Sequence, residues 1–442
     1  MDWVKEFERK LVSPEEAVKV VKSGDRVAIG GSGTEPRSLA SALAAQRSQL
    51  RNVHLLLGAP TRDYGWFQEG WEESFDISVG MVTPISEKVV WDKRCDIEVG
   101  FLVPYMRREE EKDLKDIDIF LTEVGYPNKN GFCSCGSAQL YKKEYVRRAR
   151  VVIAEVNERF IRTFGDNYIH VSEINYFVPH VSSGRIPGMK GARGAGTEPI
   201  EHVRPIAEYV SGLIKNGDCI QIGVGSVSEV LPRAGLFEGK LDLGWHSEAT
   251  PRGIAQFVRQ GIVTGKYKNI HTGKVVCSSV GGGDLEDLEF INDNPMFELY
   301  GIGYVDDPRV IAAHDNVVAI DQALAVDLTG MIAAESVGPR VVGAAGGQLA
   351  FAIGAGLSKG GRFITVLPST AKNGTVSRIV PTLEPGTIVT VPRTLADIVV
   401  TEYGIARLRG KSQRQRAKEL INIAHPDFRE DLRKASHKLF GF

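Results

Sequence analysis

Short apolar runs rich in β-branched residues alternate with stretches of helical periodicity along almost the whole chain. Arg26–Ile29, Val53–Leu57, Ile117–Leu121, Val151–Ala154, Cys219–Ile222, Val317–Ile320 and Phe363–Leu367 have the length and composition of buried strands. Between them, stretches such as Pro36–Gln46 and Pro205–Lys215 place apolar residues at helical spacing. The opening segment, MDWVKEFERKLVSPEEAV, predicts a charged helix. Strand then helix, repeated, predicts the α/β class, with mostly parallel sheets covered by helices.

One segment recurs. Val21–Gly30 (VKSGDRVAIG) lines up with Ile214–Gly223 (IKNGDCIQIG), five of ten positions being identical and two more exchanging Val for Ile. Five matches in ten arise by chance in a long chain, so the shared context matters more than the identity. Each copy ends a helix, turns at Gly-Asp, runs a strand and enters a glycine-rich loop before a helix. Two related open α/β domains are therefore expected, the more so because 442 residues exceed what one core usually supports. The join is placed near Ser182–Glu198 (SSGRIPGMKGARGAGTE), which is rich in glycine and basic residues and lacks apolar periodicity. This gives an N-terminal domain over 1–190 and a C-terminal domain over 191–442. The Arg- and Lys-rich tail, Lys411–Phe442, reads as a solvated helical face.

Composition narrows the function classes. Hydrophobic residues make up 43% and charged residues 25%, which excludes a disordered chain and a disulfide scaffold. Lys plus Arg is 54 against Asp plus Glu 55, so no long-range field draws in nucleic acid or an anionic membrane. A local basic pocket for a phosphate-bearing ligand stays compatible with that balance. Five scattered cysteines, Cys95, Cys133, Cys135, Cys219 and Cys277, suggest reduced thiols in a cytoplasmic protein. Cys133-Ser-Cys135 lacks further ligands at metal-binding spacing, so a reduced turn pair and no metal are expected. Val341–Leu357 is apolar but holds five glycines and Gln348, the pattern of a loop and packed helix, not a membrane span. The N-terminus has no apolar signal-peptide core.

Candidate chemistry gathers at strand ends. Gly223-Val224-Gly225-Ser226-Val227 follows the Cys219–Ile222 run; its glycines would let amides approach a phosphate or oxyanion, and a plain tight turn is the competing reading. Asp242, on an expected short strand Leu241–Leu243, gives a partial dinucleotide fingerprint, incomplete because Ser228 replaces the third glycine. Gly343-Ala-Ala-Gly346-Gly347-Gln348 is a second glycine loop, suited to close ligand approach or to tight helix–sheet packing. Leu367-Pro-Ser369-Thr370-Ala-Lys372-Asn-Gly374 sets hydroxyls and a cation in one turn. Leu243-Gly-Trp245-His246-Ser247-Glu248 follows an expected strand, where open α/β sheets place ligands. A carboxylate sheltered there by Trp245 would serve as base or nucleophile.

Taken together, the chain resembles the acetyl-CoA hydrolase/transferase branch of the family I CoA-transferases, especially the 4-hydroxybutyrate and butyrate CoA-transferases. The resemblance runs through Ile153-Ala-Glu-Val-Asn157, Ile169-His-Val-Ser172, Gly196-Thr-Glu-Pro199, Gly223-Val-Gly225 and Leu243–Glu248. It continues through Val326-Asp-Leu-Thr-Gly330, Gly346-Gly-Gln348, Ser358-Lys-Gly-Gly361, Pro368-Ser-Thr370, Val400–Gly404 and Ile421–Asp427. It implies two open α/β domains, a catalytic Glu248, and a loop Gly223–Val227 that binds CoA and offers amides to an oxyanion. It also implies Gly347 at the CoA thioester with Gly346 and Gln348 beside it binding CoA, Lys372 near the CoA carrier arm, and Glu402 positioning the catalytic carboxylate. The implied chemistry is ping-pong exchange of CoA between an acyl-CoA and a short-chain carboxylate through a glutamyl-CoA thioester, the activity class EC 2.8.3. Coenzyme A is then a substrate, no cofactor is needed, His246 is structural, and a homo-oligomer is expected.

Departures touch the substrate. After Glu248 the family usually continues with Met, an apolar residue and Ser-Asp-Gly, whereas here Ala249-Thr-Pro251-Arg252-Gly253 follows. Arg252 is a candidate for recognising a second carboxylate, with an outward surface arginine as the alternative. Tyr64–Trp71 differs from the common pattern, Asp321-Gln322 stands where Asn-Ser is more usual, Ala325 replaces Glu or Gln, and Ala344-Ala345 replaces Gly-Val. Acyl-CoA hydrolysis on the same scaffold, a noncatalytic CoA sensor and a nucleotide-dependent dehydrogenase are the competing functions.

Overall fold

The computed structural model describes residues 2–31, 34–99, 116–179, 198–280 and 285–441. Apart from Glu198, the expected join at Ser182–Glu198 lies outside the described residues. The chain divides into two compact units, Met1–Arg193 with Cys277–Tyr304, and Gly194–Val276 with Val305–Phe442.

The first unit is built on a parallel sheet. Its strands run in the order Tyr176–Pro179, Ala149–Asn157, Ile117–Gly125, Arg26–Ile29, Val53–Leu57, Phe75–Val79 and Asp96–Ile97. The continuous apolar runs follow from burial of both faces. Val27 and Ile29 pack with Leu39 and Leu43 of the Arg37–Ala45 helix, while Ala28 between them joins Tyr141 and Tyr145 on the other side. Glu155, fully buried in the Ala149–Asn157 strand, caps the Arg37–Ala45 helix by accepting from the Ser38 amide at 2.8 Å and its hydroxyl at 3.1 Å. Asn157 Nδ2 donates to Glu123 Oε1 at 2.7 Å. Motif Ile153–Asn157 thus fixes a helix start and two central strands.

In the second unit the strands run Gly404–Arg407, Ile398–Thr401, Arg362–Val366, Val317–Gln322, Cys219–Ile222 and Gly244–Thr250, parallel except for the first. The recurring segment forms the same object in both units. Gly24 and Gly217 have φ of 86° and 84°, and the Asp25 and Asp218 carboxylates accept from the Lys22 and Lys215 amides. Each following strand pairs in parallel with the next strand of the sheet on one side and a later one on the other.

Some elements differ from expectation. Leu241–Leu243 is not a strand: Asp242 adopts φ 56°, its carboxylate accepts from Thr264 Oγ1 at 3.0 Å, and the strand begins at Gly244. The Gly223 loop leads into a short 3-10 turn, Leu231–Ala234, in place of an α-helix, so the dinucleotide fingerprint lacks its helix N-terminus. The helix expected from Pro205 starts at Ile200, after Pro199; Pro205 sits inside it and forgoes one backbone bond. Cys133 lies in the Phe132–Ser134 strand opposite Ile169, not in a turn; all five cysteines are buried and outside any disulfide, and burial pushes the Cys135 thiol up to about 11. Among the described residues no helix is long and apolar enough to cross a membrane, and no group of three or more His, Cys, Asp or Glu could hold a metal.

Candidate active site

Glu248 lies inside the Gly244–Thr250 strand, half-buried. Cys219 pairs with Gly244 and Ile220 with Trp245. The Ile222 amide donates to Ser247 Oγ, which itself donates to the Ile222 carbonyl, both at 3.3 Å. Carried one residue on, this parallel register sets Gly223 beside Glu248. Strand alternation puts Glu248 and His246 on one face and Trp245 on the other. Trp245 is fully buried against Phe237 with its indole N–H on Thr250 Oγ1, so it does not shelter the carboxylate as the sequence suggested.

Two other acids supply that environment. Asp306 and Asp321 are buried, and the Glu248 charge acts on both. Burial, then Glu248 and Asp321, hold the Asp306 carboxyl well above the usual carboxylate range. Burial pushes Asp321 up to about 7, against a hydrogen bond from Gln221 Nε2 to its Oδ1 at 3.1 Å that works the other way. The glycines come close to these acids. A Cβ at Gly223 would stand 1.9 Å from Asp321 Oδ1, and one at Gly347 would stand 2.5 Å from Asp306 Oδ2.

Gln322 ties the two glycine loops together. Its Oε1 accepts from the Val227 amide at 2.7 Å, its Nε2 donates to Ser226 Oγ at 3.2 Å, and its carbonyl accepts from Gln348 Nε2 at 3.4 Å. Gly225 closes against it, since a Cβ there would lie 2.6 Å from Gln322 Oε1. The Gly223 amide donates to the Ile320 carbonyl and that of Val227 to Gln322, whereas among the described residues no acceptor is seen for the amides of Val224, Gly225 and Ser226. Gly346 has φ 56°, and the helix Gln348–Leu357 begins after Gly347, which has no side chain to cap its first amides.

A cluster of three acids against two glycine loops precedes the comparison with known proteins. Residues 1–183 match the acetyl-CoA hydrolase/transferase N-terminal domain and residues 283–436 the C-terminal domain of the same name. The chain belongs to the acetyl-CoA hydrolase/transferase family. It is 36% identical to a 4-hydroxybutyrate coenzyme A transferase of Clostridium kluyveri over the full length of both chains. It is also 36% identical to a succinyl-CoA:cyclohexane-1-carboxylate CoA transferase of Geobacter metallireducens, covering 99% of this chain and 97% of that one. The crystal structure of a 4-hydroxybutyrate CoA-transferase from Porphyromonas gingivalis superposes with a TM-score of 0.77 at 32% identity, covering 99% and 100%.

The remaining candidates of this family member lie further out. Ser369, at the end of the Arg362–Val366 segment, donates its amide and hydroxyl to the two oxygens of Glu402 at 2.8 and 2.5 Å. Glu402 therefore holds the turn that carries Lys372, which is exposed at φ 48° between two short paired strands. Arg252 is exposed just beyond the strand of Glu248. His246 is buried; its Nε2–H donates to the Val305 carbonyl at 2.8 Å, and burial and His314, whose tilted ring is centred 4.5 Å away, keep it neutral. Asp306 escaped sequence reasoning because Asp306-Asp307-Pro308 reads as a helix start. Asp307 does cap that helix, accepting from the Arg309 amide at 2.8 Å.

Proposed function

We propose that this chain is a CoA-transferase that moves CoA between an acyl-CoA and a free short-chain carboxylate through a thioester on Glu248. The observation carrying this reading is that the Glu248 charge acts on two buried acids, Asp321 and Asp306, against which Gly223 and Gly347 close. The relatives named above, matched over nearly their whole length, are named as CoA transferases, which supports the reading.

In the reaction, a Glu248 oxygen attacks the acyl-CoA carbonyl carbon and the C–S bond breaks, giving an acyl-glutamyl anhydride and CoA thiolate. The thiolate attacks the glutamyl carbon, the anhydride C–O bond breaks, and the first acid leaves as its carboxylate. An incoming carboxylate reverses both steps and departs as the new acyl-CoA. Each intermediate stays activated, so no nucleotide hydrolysis is required. Amides of Val224, Gly225 and Ser226 serve in this reading as the loop's donors to the oxyanions, where charge develops. Gly346, Gly347, Gln348 and Lys372 bind CoA in this reading. Neutral, buried His246 orients the strand and relays no proton in the reaction.

The test is transfer from butyryl-CoA to acetate, with free CoA followed in parallel. Wild-type protein should form acetyl-CoA and Glu248→Ala should not. Release of free CoA without acetyl-CoA would assign the hydrolase instead, and activity in Glu248→Ala would overturn the reading.

A further inference from the structure

Asp306 has no exposed surface, and among the described residues neither of its carboxyl oxygens has a hydrogen-bond partner. It is pressed against Gly347, whose missing side chain leaves room for Oδ2. The charged groups that face it are Glu248, from the Gly244–Thr250 strand, and Asp321, from the Val317–Gln322 strand; no cation among the described residues acts on it. His246, on the Glu248 face, is neutral. An ionised carboxylate in that position would have neither donor nor counter-charge.

We propose that Asp306 is a positioning residue for Glu248 that works only as the neutral acid. Pressed against Gly347 and unbonded, it adds no charge of its own to the cluster it forms with Glu248 and Asp321, and its ionisation shuts transfer down. This rests on Glu248 being the nucleophile. A second negative charge beside Glu248 would favour protonated, unreactive Glu248 and would repel the incoming carboxylate. The neutral acid avoids both effects while filling the space behind Gly347.

The experiment compares kcat/KM between pH 6 and 9.5 for wild type, Asp306→Asn and Asp321→Asn, with one acyl-CoA and acetate. The wild-type rate should fall on the alkaline side. Asp306→Asn, equal in shape and unable to ionise, is compared with wild type as rates relative to each protein's own value at pH 6.5. It should lose the alkaline fall and exceed wild type by about tenfold one pH unit beyond the wild-type break. A flat wild-type profile, an Asp306→Asn profile that breaks where wild type does, or a break moved by Asp321→Asn alone would each overturn the proposal. Should Asp306→Asn fail to fold, the yield of CoA adduct on wild-type protein decides the same question: it should decline with rising pH, and a constant yield overturns the proposal. Adduct on Glu248 with an unchanged profile defeats the role of Asp306 alone, whereas no adduct at any pH defeats the Glu248 reading with it.

Discussion

Gly223 and Asp321 occupy adjoining space so tightly that a Cβ on residue 223 would stand 1.9 Å from Asp321 Oδ1. The same oxygen accepts from Gln221 Nε2, so it has little freedom to withdraw. Gly223→Ala should therefore displace Asp321 and the loop beside Glu248. The expected cost is about 1–3 kcal/mol of stability, as for an overpacked core, with transfer activity down at least tenfold. Urea unfolding and the butyryl-CoA assay check this; wild-type values in both would contradict it.

Gln322 joins the Gly223 and Gly347 loops through Val227, Ser226 and Gln348. Gln322→Ala should loosen both loops without touching the nucleophile. Loss of about 1 kcal/mol of binding corresponds to roughly a fivefold rise in KM for acyl-CoA. Adduct formation on Glu248 should persist at saturating acyl-CoA. An unchanged KM would show that the loops do not depend on this side chain.

Asp321 gives a pH dependence of stability with a definite sign. Its folded value, about 7, lies above the unfolded value of an aspartic acid, so folding binds an extra proton between them. The stabilisation is complete below about pH 4 and is lost as pH rises towards 7. Asp321→Asn removes this loss. Relative to wild type, the variant should gain stability on the order of 2 kcal/mol between pH 5 and 7. Denaturant titrations of both proteins at the two values check it; a constant difference would contradict it.

Arg252 follows Glu248 by four residues and is exposed. If it pairs with the distal carboxylate of a dicarboxylic acceptor, Arg252→Ala should lower succinate or itaconate use about tenfold relative to acetate and butyrate. Competition assays with paired acceptors measure that ratio. Unchanged relative rates would make Arg252 a surface residue with no part in selection.

Much of the fold was legible because both sheets bury two faces. Val27, Ala28 and Ile29 all had to be apolar, whichever side each faced, and the resulting runs mark strands plainly. The repeated Gly-Asp turn was equally clear, since a positive φ at Gly24 and Gly217 and an amide-capping Asp need those residue types. Local patterning failed where a single residue changed the geometry. Asp242 accommodates φ 56° and delays the strand to Gly244, moving Glu248 into the strand and Trp245 to its far face. Of the site, Glu248 and the glycines were visible as a motif, and Asp321-Gln322 was visible as a departure from it. Their physical connection was not, because Gly223, Asp321 and Gln221 meet only across paired strands. Asp306 was hidden by its neighbour, whose capping role explained the local sequence completely.

The most direct measurement is intact-protein mass spectrometry after adding an acyl-CoA without acceptor to wild type and Glu248→Ala. A CoA adduct on wild type alone, mapped by peptide analysis to Glu248, is the predicted result. An adduct on another residue, or none across several acyl chains despite demonstrated CoA binding, would contradict the glutamyl thioester on which the account depends.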